Sequence, residues 1–103
     1  MENVLFKFLA DVNKPKDIKM FFRDFLKPSE YELLIKRIGI IYFLSKKRGY
    51  KNIKSNLKVS SATIASMQNS MKTKGVLFAI KNIKAEEWAS KWAKKIKSFK
   101  LTK

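Results

Sequence analysis

The first half of the chain repeats apolar and polar positions with a helical period. Residues 2–12 and 15–25 carry apolar side chains at spacings of three and four, which predicts two amphipathic helices. Residues 28–46 are apolar on nearly every face, which predicts a third helix that is buried on several sides. Pro15 and Pro28 fit the first helical position, where the missing N–H has no partner in any case. The first half is therefore predicted to be helical.

The three glycines fall at positions that bear on helix ends and packing. Gly49 and Gly75 are predicted to end helices, because glycine favours the left-handed conformation found there. Gly39 lies inside the third helix, where glycine costs on the order of 1 kcal/mol relative to alanine. Two interpretations of Gly39 remain open, a close helix crossing or a tolerated glycine.

The middle of the chain has the apolar spacing of a helix-turn-helix. Ile53 and Leu57 lie four apart, Val59 falls in the turn, and Ile64 and Met67 lie three apart. Two short helices could thus pack on one core and leave their outer faces free. An ordinary pair of packed helices has the same spacing and remains the alternative.

The second helix of this pair is predicted over residues 62–71, with Ser60 or Ser61 as its N-cap. Its hydroxyl and amide groups can reach base edges or phosphates, and a helix N-terminus itself favours a phosphate. Two residues depart from the common helix-turn-helix pattern. Lys54 stands where a small residue usually lets the helices approach, and Lys58 replaces the usual turn glycine.

The C-terminal residues 85–100 predict a basic amphipathic helix with lysines on the faces away from an aromatic stripe. The stripe could pack on a dimer core, or the helix could lie on an anionic membrane surface or contact DNA phosphates. Residues 76–83 are apolar enough to join this packing, although their own spacing indicates no particular form. The stripe consists of Trp88, Trp92, Ile96 and Phe99.

The charge distribution points to a polyanionic partner. The net charge is +16, from 24 basic and 8 acidic residues, and Leu33 to Ala85 holds twelve basic residues and no acid. Such a field attracts nucleic acid. A genome biased toward lysine codons would explain lysine in place of arginine, but not the shortage of acids.

The composition excludes most enzyme classes. The chain has no Cys and no His, so the common zinc sites and thiol nucleophiles are absent, and the remaining ionisable residues show no spacing of a paired catalytic site. We expect no catalytic residue, no cofactor and no metal. The apolar runs are too short to cross a membrane, and the N-terminus does not resemble a signal peptide, which favours the cytoplasm.

At this point the chain resembles a known family. Residues 21–26 (FFRDFL), 28–30 (PSE), 36–37 (KR) and 59–64 (VSSATI) are similar to the Trp repressor superfamily, and most similar to its small YerC/YecD-type members. The resemblance covers roughly residues 4–72. It implies an all-α, intertwined homodimer in which two helix-turn-helix heads face successive major grooves of double-stranded DNA.

The resemblance also bears on a small-molecule effector. The Trp repressor itself binds L-tryptophan through two arginines and leaves space for the indole beside the second. Here the matching positions are Arg37, Ser66 and, for the space, Met67. The carboxylate of L-tryptophan would therefore lack one cation, and Met67 would occupy the space that the indole ring needs. An alternative for Arg37 is an ion pair with a residue such as Glu30.

These observations predict a single domain over residues 1–103, with dimerisation helices at 1–46, the helix-turn-helix at 50–72 and the basic helix at 76–103. The favoured function is sequence-specific regulation of transcription, without a tryptophan response and without a membrane partner. A nucleoid-like protein that coats DNA non-specifically, and a helical dimer whose charge only maintains solubility, are the alternatives. The candidate DNA-binding residues are Lys47, Arg48, Lys51, Lys54, Ser60, Ser61, Ala62, Thr63, Ala65, Ser66, Asn69 and Lys72.

Overall fold

The computed structural model describes the backbone of residues 1–101 and the side chains of residues 1–94 other than Trp92. Within residues 1–101 the chain is all-α and contains no strand. Met1–Ile35 forms one compact unit, and the chain from Lys36 onwards forms a second. The helices are α1 (Glu2–Asp11), α2 (Pro15–Phe25), α3 (Pro28–Ser45), α4 (Tyr50–Leu57), α5 (Ser61–Asn69) and α6 (Lys74–Leu101).

The first unit is held together by aromatic side chains. Phe21 of α2 packs edge-on against Phe8 of α1, with 5.0 Å between ring centroids, and stacks on Phe25 at 5.2 Å. The Arg23 guanidinium lies 5.4 Å from the centroid of the Tyr31 ring, a cation–π contact. None of residues 1–35 is buried. This unit therefore lacks a closed core within one chain.

The second unit has a small closed core of aliphatic side chains drawn from four helices. Partly buried residues, among them Leu57 and Val59, pack around it. Burying one such side chain contributes about 1.5–3 kcal/mol, so this core fixes α4 and α5 on the end of α3. The buried residues are Ile40, Ile41, Ile53, Ile64, Met67 and Ile80.

The two helix starts that were predicted at prolines are confirmed. Pro15 and Pro28 are the first residues of α2 and α3. Glu30 accepts a hydrogen bond from the Lys27 backbone N–H at 2.8 Å, which satisfies one free donor at the start of α3. The first and third predicted helices run one residue too far, because the structure ends them at Asp11 and Ser45.

The predicted role of two glycines is wrong. The left-handed residue after α3 is Lys47, with φ of 60°, and the Arg48 N–H bonds to the Phe43 carbonyl at 3.1 Å in a Schellman arrangement. Gly49 is instead the N-cap of α4, with φ of −76°, and Gly75 is the second residue of α6. A lysine thus takes the conformation that usually selects glycine.

Gly39 marks a close helix crossing. A Cβ atom at this position would lie 3.1 Å from Leu57 Cδ1 and 3.3 Å from Leu57 Cδ2, tighter than ordinary van der Waals contact. The end of α4 therefore packs against the backbone of α3. Of the two interpretations of Gly39, the structure favours the crossing.

The C-terminal helix begins two residues before the predicted range of 76–103, and residues 102 and 103 of that range lie outside the described residues. Residues 76–83, whose own spacing indicated no form, and residues 85–100 belong to the single helix α6. Trp88 is exposed on its surface. The remaining members of the predicted aromatic stripe, Trp92, Ile96 and Phe99, lie outside the described side chains, as do Lys95, Lys97 and Lys100.

Candidate nucleic-acid interface

α4 and α5 pack as the apolar spacing predicts. Ile53 on α4 and Ile64 on α5 are fully buried, Met67 is 6% exposed, and Leu57 and Val59 are partly buried around them. The two helices are joined by the short turn at residues 58–60. This is the geometry of a helix-turn-helix, with α5 in the position of the recognition helix.

The turn is made by a lysine in the left-handed conformation. Lys58 has φ of 54° and ψ of 55°, and its backbone N–H bonds to the Lys54 carbonyl at 2.8 Å. The Lys36 ammonium lies 3.5 Å from the Lys58 carbonyl. Lys54 is exposed, so its bulk does not keep the helices apart. Neither departure from the common pattern prevents the motif.

Ser60 is the N-cap of α5. Its Oγ accepts a hydrogen bond from the Thr63 backbone N–H at 3.1 Å and lies 2.9 Å from Thr63 Oγ1. The helix begins at Ser61 and ends at Asn69, one residue earlier and two residues earlier than predicted. Ser60 and Thr63 therefore hold the start of α5 in place, whatever else they contact.

The outer face of α5 consists of small, uncharged side chains, and α5 carries no ionisable residue. Five of the six predicted DNA-binding residues on α5 are exposed, and the sixth, Thr63, is partly buried. Small polar groups can approach base edges closely and can donate or accept hydrogen bonds. These five residues are Ser61, Ala62, Ala65, Ser66 and Asn69.

The five predicted cations precede α4, lie on it or follow α5 in the chain, and all of them are exposed. Arg48 is the most constrained of them, because its Nη1 lies 3.4 Å from Asn52 Oδ1 and its guanidinium 5.2 Å from the centroid of the Phe43 ring. The others are Lys47, Lys51, Lys54 and Lys72. All of the predicted cations thus remain available to solvent or to a ligand.

Two of the three residues at the predicted effector positions, Arg37 and Met67, contact each other. The Arg37 Nε donates a hydrogen bond to the Met67 sulfur at 3.2 Å, and Met67 belongs to the buried core. Ser66 is exposed and uncharged. Glu30, the alternative partner of Arg37, accepts the Lys27 N–H. A methionine side chain therefore fills the space beside Arg37.

Sequence reasoning missed two groups of polar contacts between helices, one at Tyr50 and one at Glu87. The Tyr50 hydroxyl at the start of α4 donates to Gln68 Oε1 on α5. Glu87 of α6 accepts from the Tyr42 hydroxyl of α3 and lies 3.2 Å from the Lys46 ammonium. The available signal was that the acid-free segment stops just before Glu86 and Glu87.

The contacts of Glu87 shift two pKa values. The hydrogen bond from Tyr42, with further bonds from the Lys91 and Lys46 ammoniums, lowers the pKa of the Glu87 carboxyl to about 2. The same bond raises the pKa of the Tyr42 hydroxyl, because deprotonation would place two negative oxygens together. Glu87 therefore stays ionised at neutral pH and holds α6 on the end of α3.

The fold and this helix pair define a helix-turn-helix protein. The family model described as Trp repressor protein matches residues 2–85, so the chain belongs to the Trp repressor family. Membership implies a DNA-binding transcriptional regulator, and the family is not enzymatic. Comparison with curated proteins and with solved structures gives no significant match. Within the described residues, no helix is both long and apolar enough to span a membrane.

Proposed function

We propose that the protein is a homodimeric, cytoplasmic repressor of the YerC/YecD type that binds double-stranded DNA sequence-specifically. The observation that carries the proposal is the exposed, uncharged face of α5, together with the exposed lysines and Arg48 that flank it in the chain. α5 enters the major groove, where small side chains read base edges. The surrounding cations contact phosphates, which position the protein without reading sequence.

The case for a dimer rests on the first unit. Val4 is 62% exposed, Phe6 57% and Phe25 72%, although apolar side chains of this size are usually buried. An open groove lined in part by Phe8, Met20 and Phe25 lies on the same unit. A second copy of the chain, intertwined through the helices of residues 1–46, would cover these side chains. Each one fully buried would contribute about 1.5–3 kcal/mol.

L-Tryptophan is not the effector in this proposal. Ser66 supplies no cation for an amino-acid carboxylate, and Met67 fills the space beside Arg37 with its sulfur 3.2 Å from Arg37 Nε. Losing one charge-assisted hydrogen bond costs about 1.5–3 kcal/mol, a factor of ten or more in affinity. Repression without tryptophan follows, and no other small-molecule effector is proposed.

The test compares one DNA site, selected from a random pool, with random duplex at matched salt concentrations. Because each neutralised phosphate releases counterions, about 6 to 10 phosphate contacts predict a loss of roughly 10³–10⁵ in affinity between 50 and 200 mM salt. Lys51→Ala or Lys72→Ala should weaken binding to all sequences alike and make the salt dependence shallower. Bulky substitutions at Ser61, Ala62 or Ala65 should change which sequence is preferred, by about 1–3 kcal/mol per disturbed base contact.

A protein that coats DNA without reading bases is the second candidate. It is favoured by one observation: α5 carries no arginine, the residue that makes the commonest specific contact with guanine. If bulky residues at Ser61, Ala62 and Ala65 leave affinity and preference unchanged while charge removal abolishes binding, this second function replaces the first. Failure to bind either DNA would indicate a purely structural dimer.

A further inference from the structure

Three lysines, two from α6 and one from the turn after α3, meet where α6 passes the end of α3. The Lys46 ammonium of the turn and the Lys91 ammonium of α6 each lie 3.2 Å from Glu87 Oε1. The Lys84 ammonium donates to the Ser45 carbonyl at 3.3 Å. The three lysines line one surface pocket with Glu87. We refer to Lys46, Lys84 and Lys91 as the lysine cluster.

The lysine cluster holds more positive charge than docking of α6 requires. The pocket is lined by three ammoniums and one carboxylate, so it keeps an excess of two positive charges. The side chains of Lys46 and Lys91 are 38% and 73% exposed, which leaves both accessible. An ammonium has three N–H donors, and the contacts to Glu87 and Ser45 use one on each lysine. The pocket can therefore accept an additional anion.

The lysine cluster is also continuous with the proposed DNA-binding surface. Lys46 directly precedes Lys47 and Arg48, both exposed and both proposed to contact phosphates. Lys91 lies beyond residue 85, where the match to the family ends. Lys91 contacts Glu87, which also contacts Lys46, so this segment of α6 adds a cation beside the proposed DNA-binding residues. This position therefore favours DNA phosphate, rather than a membrane surface, as the partner of the lysine cluster.

We propose that the lysine cluster is a phosphate-binding site that extends the DNA contacts of the helix-turn-helix onto α6. The proposal rests on the proposed DNA-binding function. The ammoniums of Lys46 and Lys91 lie 3.2 Å from the same oxygen atom of Glu87, so both can reach one phosphate. The remaining N–H donors then bind the phosphate oxygens.

The experiment measures binding of the full chain to the selected site and to random duplex, by fluorescence anisotropy over a series of salt concentrations. Lys84→Ala/Lys91→Ala should lower the slope of log affinity against log salt by about 1 per protomer, because the cluster neutralises one phosphate. Affinity at 0.1 M salt should fall on the order of tenfold or more, equally for both DNAs.

Three controls separate phosphate binding from a general effect. Lys7→Ala/Lys19→Ala removes the same charge from exposed positions on α1 and α2, and should leave the slope unchanged. Lys84→Arg/Lys91→Arg keeps the charge and should restore the slope. Glu87→Gln removes the nearest carboxylate and should tighten binding to both DNAs, whereas a cluster that only docks α6 predicts weaker or unchanged binding.

The outcomes distinguish this inference from the function on which it rests. If the unmodified protein binds neither DNA, the proposed function fails. If it binds, and Lys84→Ala/Lys91→Ala keeps the full slope or changes it no more than Lys7→Ala/Lys19→Ala does, the phosphate site alone is refuted. Binding to phosphatidylglycerol vesicles that depends on Lys84 and Lys91, with unchanged DNA binding, would overturn it in favour of a membrane surface.

Discussion

The left-handed conformation of Lys58 allows a prediction about the helix-turn-helix turn. Holding an L-residue at φ of 54° and ψ of 55° costs about 1–2 kcal/mol, which glycine does not incur. Glycine also gives the unfolded chain more conformational entropy, which lowers the free energy of unfolding by about 0.4–1 kcal/mol. The hydrogen bonds of Lys58 N–H and C=O involve only its backbone and survive the substitution. Lys58→Gly should therefore raise the free energy of unfolding by about 0.5–1 kcal/mol.

The measurement is urea unfolding followed by circular dichroism at one fixed protein concentration, because association would make stability depend on concentration. Lys58→Ala is the matched control, since it removes the same ammonium but keeps the Cβ atom that causes the strain. The glycine variant should be more stable than the alanine variant. If the two unfold at the same urea concentration, the left-handed turn stores no strain and the reasoning fails.

Four further predictions concern the rest of the molecule. The protein should sediment as a dimer at micromolar concentration, and a monomer mass near 12 kDa with cooperative unfolding would refute the dimer. Calorimetry should detect no micromolar binding of L-tryptophan, while Met67→Ala should destabilise the fold by about 2–5 kcal/mol. The pKa of Glu87 is lowered from 4.5 to about 2. The contribution of its ionised carboxylate to the free energy of unfolding is therefore complete above about pH 4.5 and is lost as the pH falls toward 2. The stability difference between wild type and Glu87→Gln should therefore shrink over that range, and a constant difference would contradict the ion cluster.

The parts of the fold that the sequence predicted are those governed by apolar spacing and by helix starts. Ile53 and Ile64 are fully buried as their periodicity indicated, since both helices bury one face. Pro15 and Pro28 begin helices because proline fits only the first turn. Ser60 caps α5, as its hydroxyl beside a helical pattern predicted. Local chemistry decides each of these.

The helix ends could not be read from glycine. Lys47 and Lys58 adopt the left-handed conformation, while Gly49 and Gly75 stand at helix starts. The cost of about 1–2 kcal/mol per lysine is smaller than the gain from packing the adjoining helices on one core, so tertiary packing overrides local preference. Residues 76–83 have no clean period of their own, so only the structure shows that they continue into the rest of α6.

The contacts around Glu87 and Arg37 depend on which helices meet, and sequence spacing carries no such information. Tyr42 and Glu87 are separated by 45 residues, and Arg37 and Met67 by 30. The predicted DNA-contacting residues are a mixed case. The sequence singled out a cationic, acid-free segment, and the structure leaves its cations exposed, but which bases or phosphates they contact depends on the bound DNA.

The absence of ionisable side chains from α5 has a thermodynamic consequence for a regulator. When the affinities for two DNA sequences are divided, every phosphate contact common to both complexes cancels, and with it the counterion release. In the proposed binding mode, what remains comes from uncharged groups on α5, which do not titrate near neutral pH. Occupancy of the DNA would then fall as the ionic strength rises, while selectivity between competing sites stayed constant.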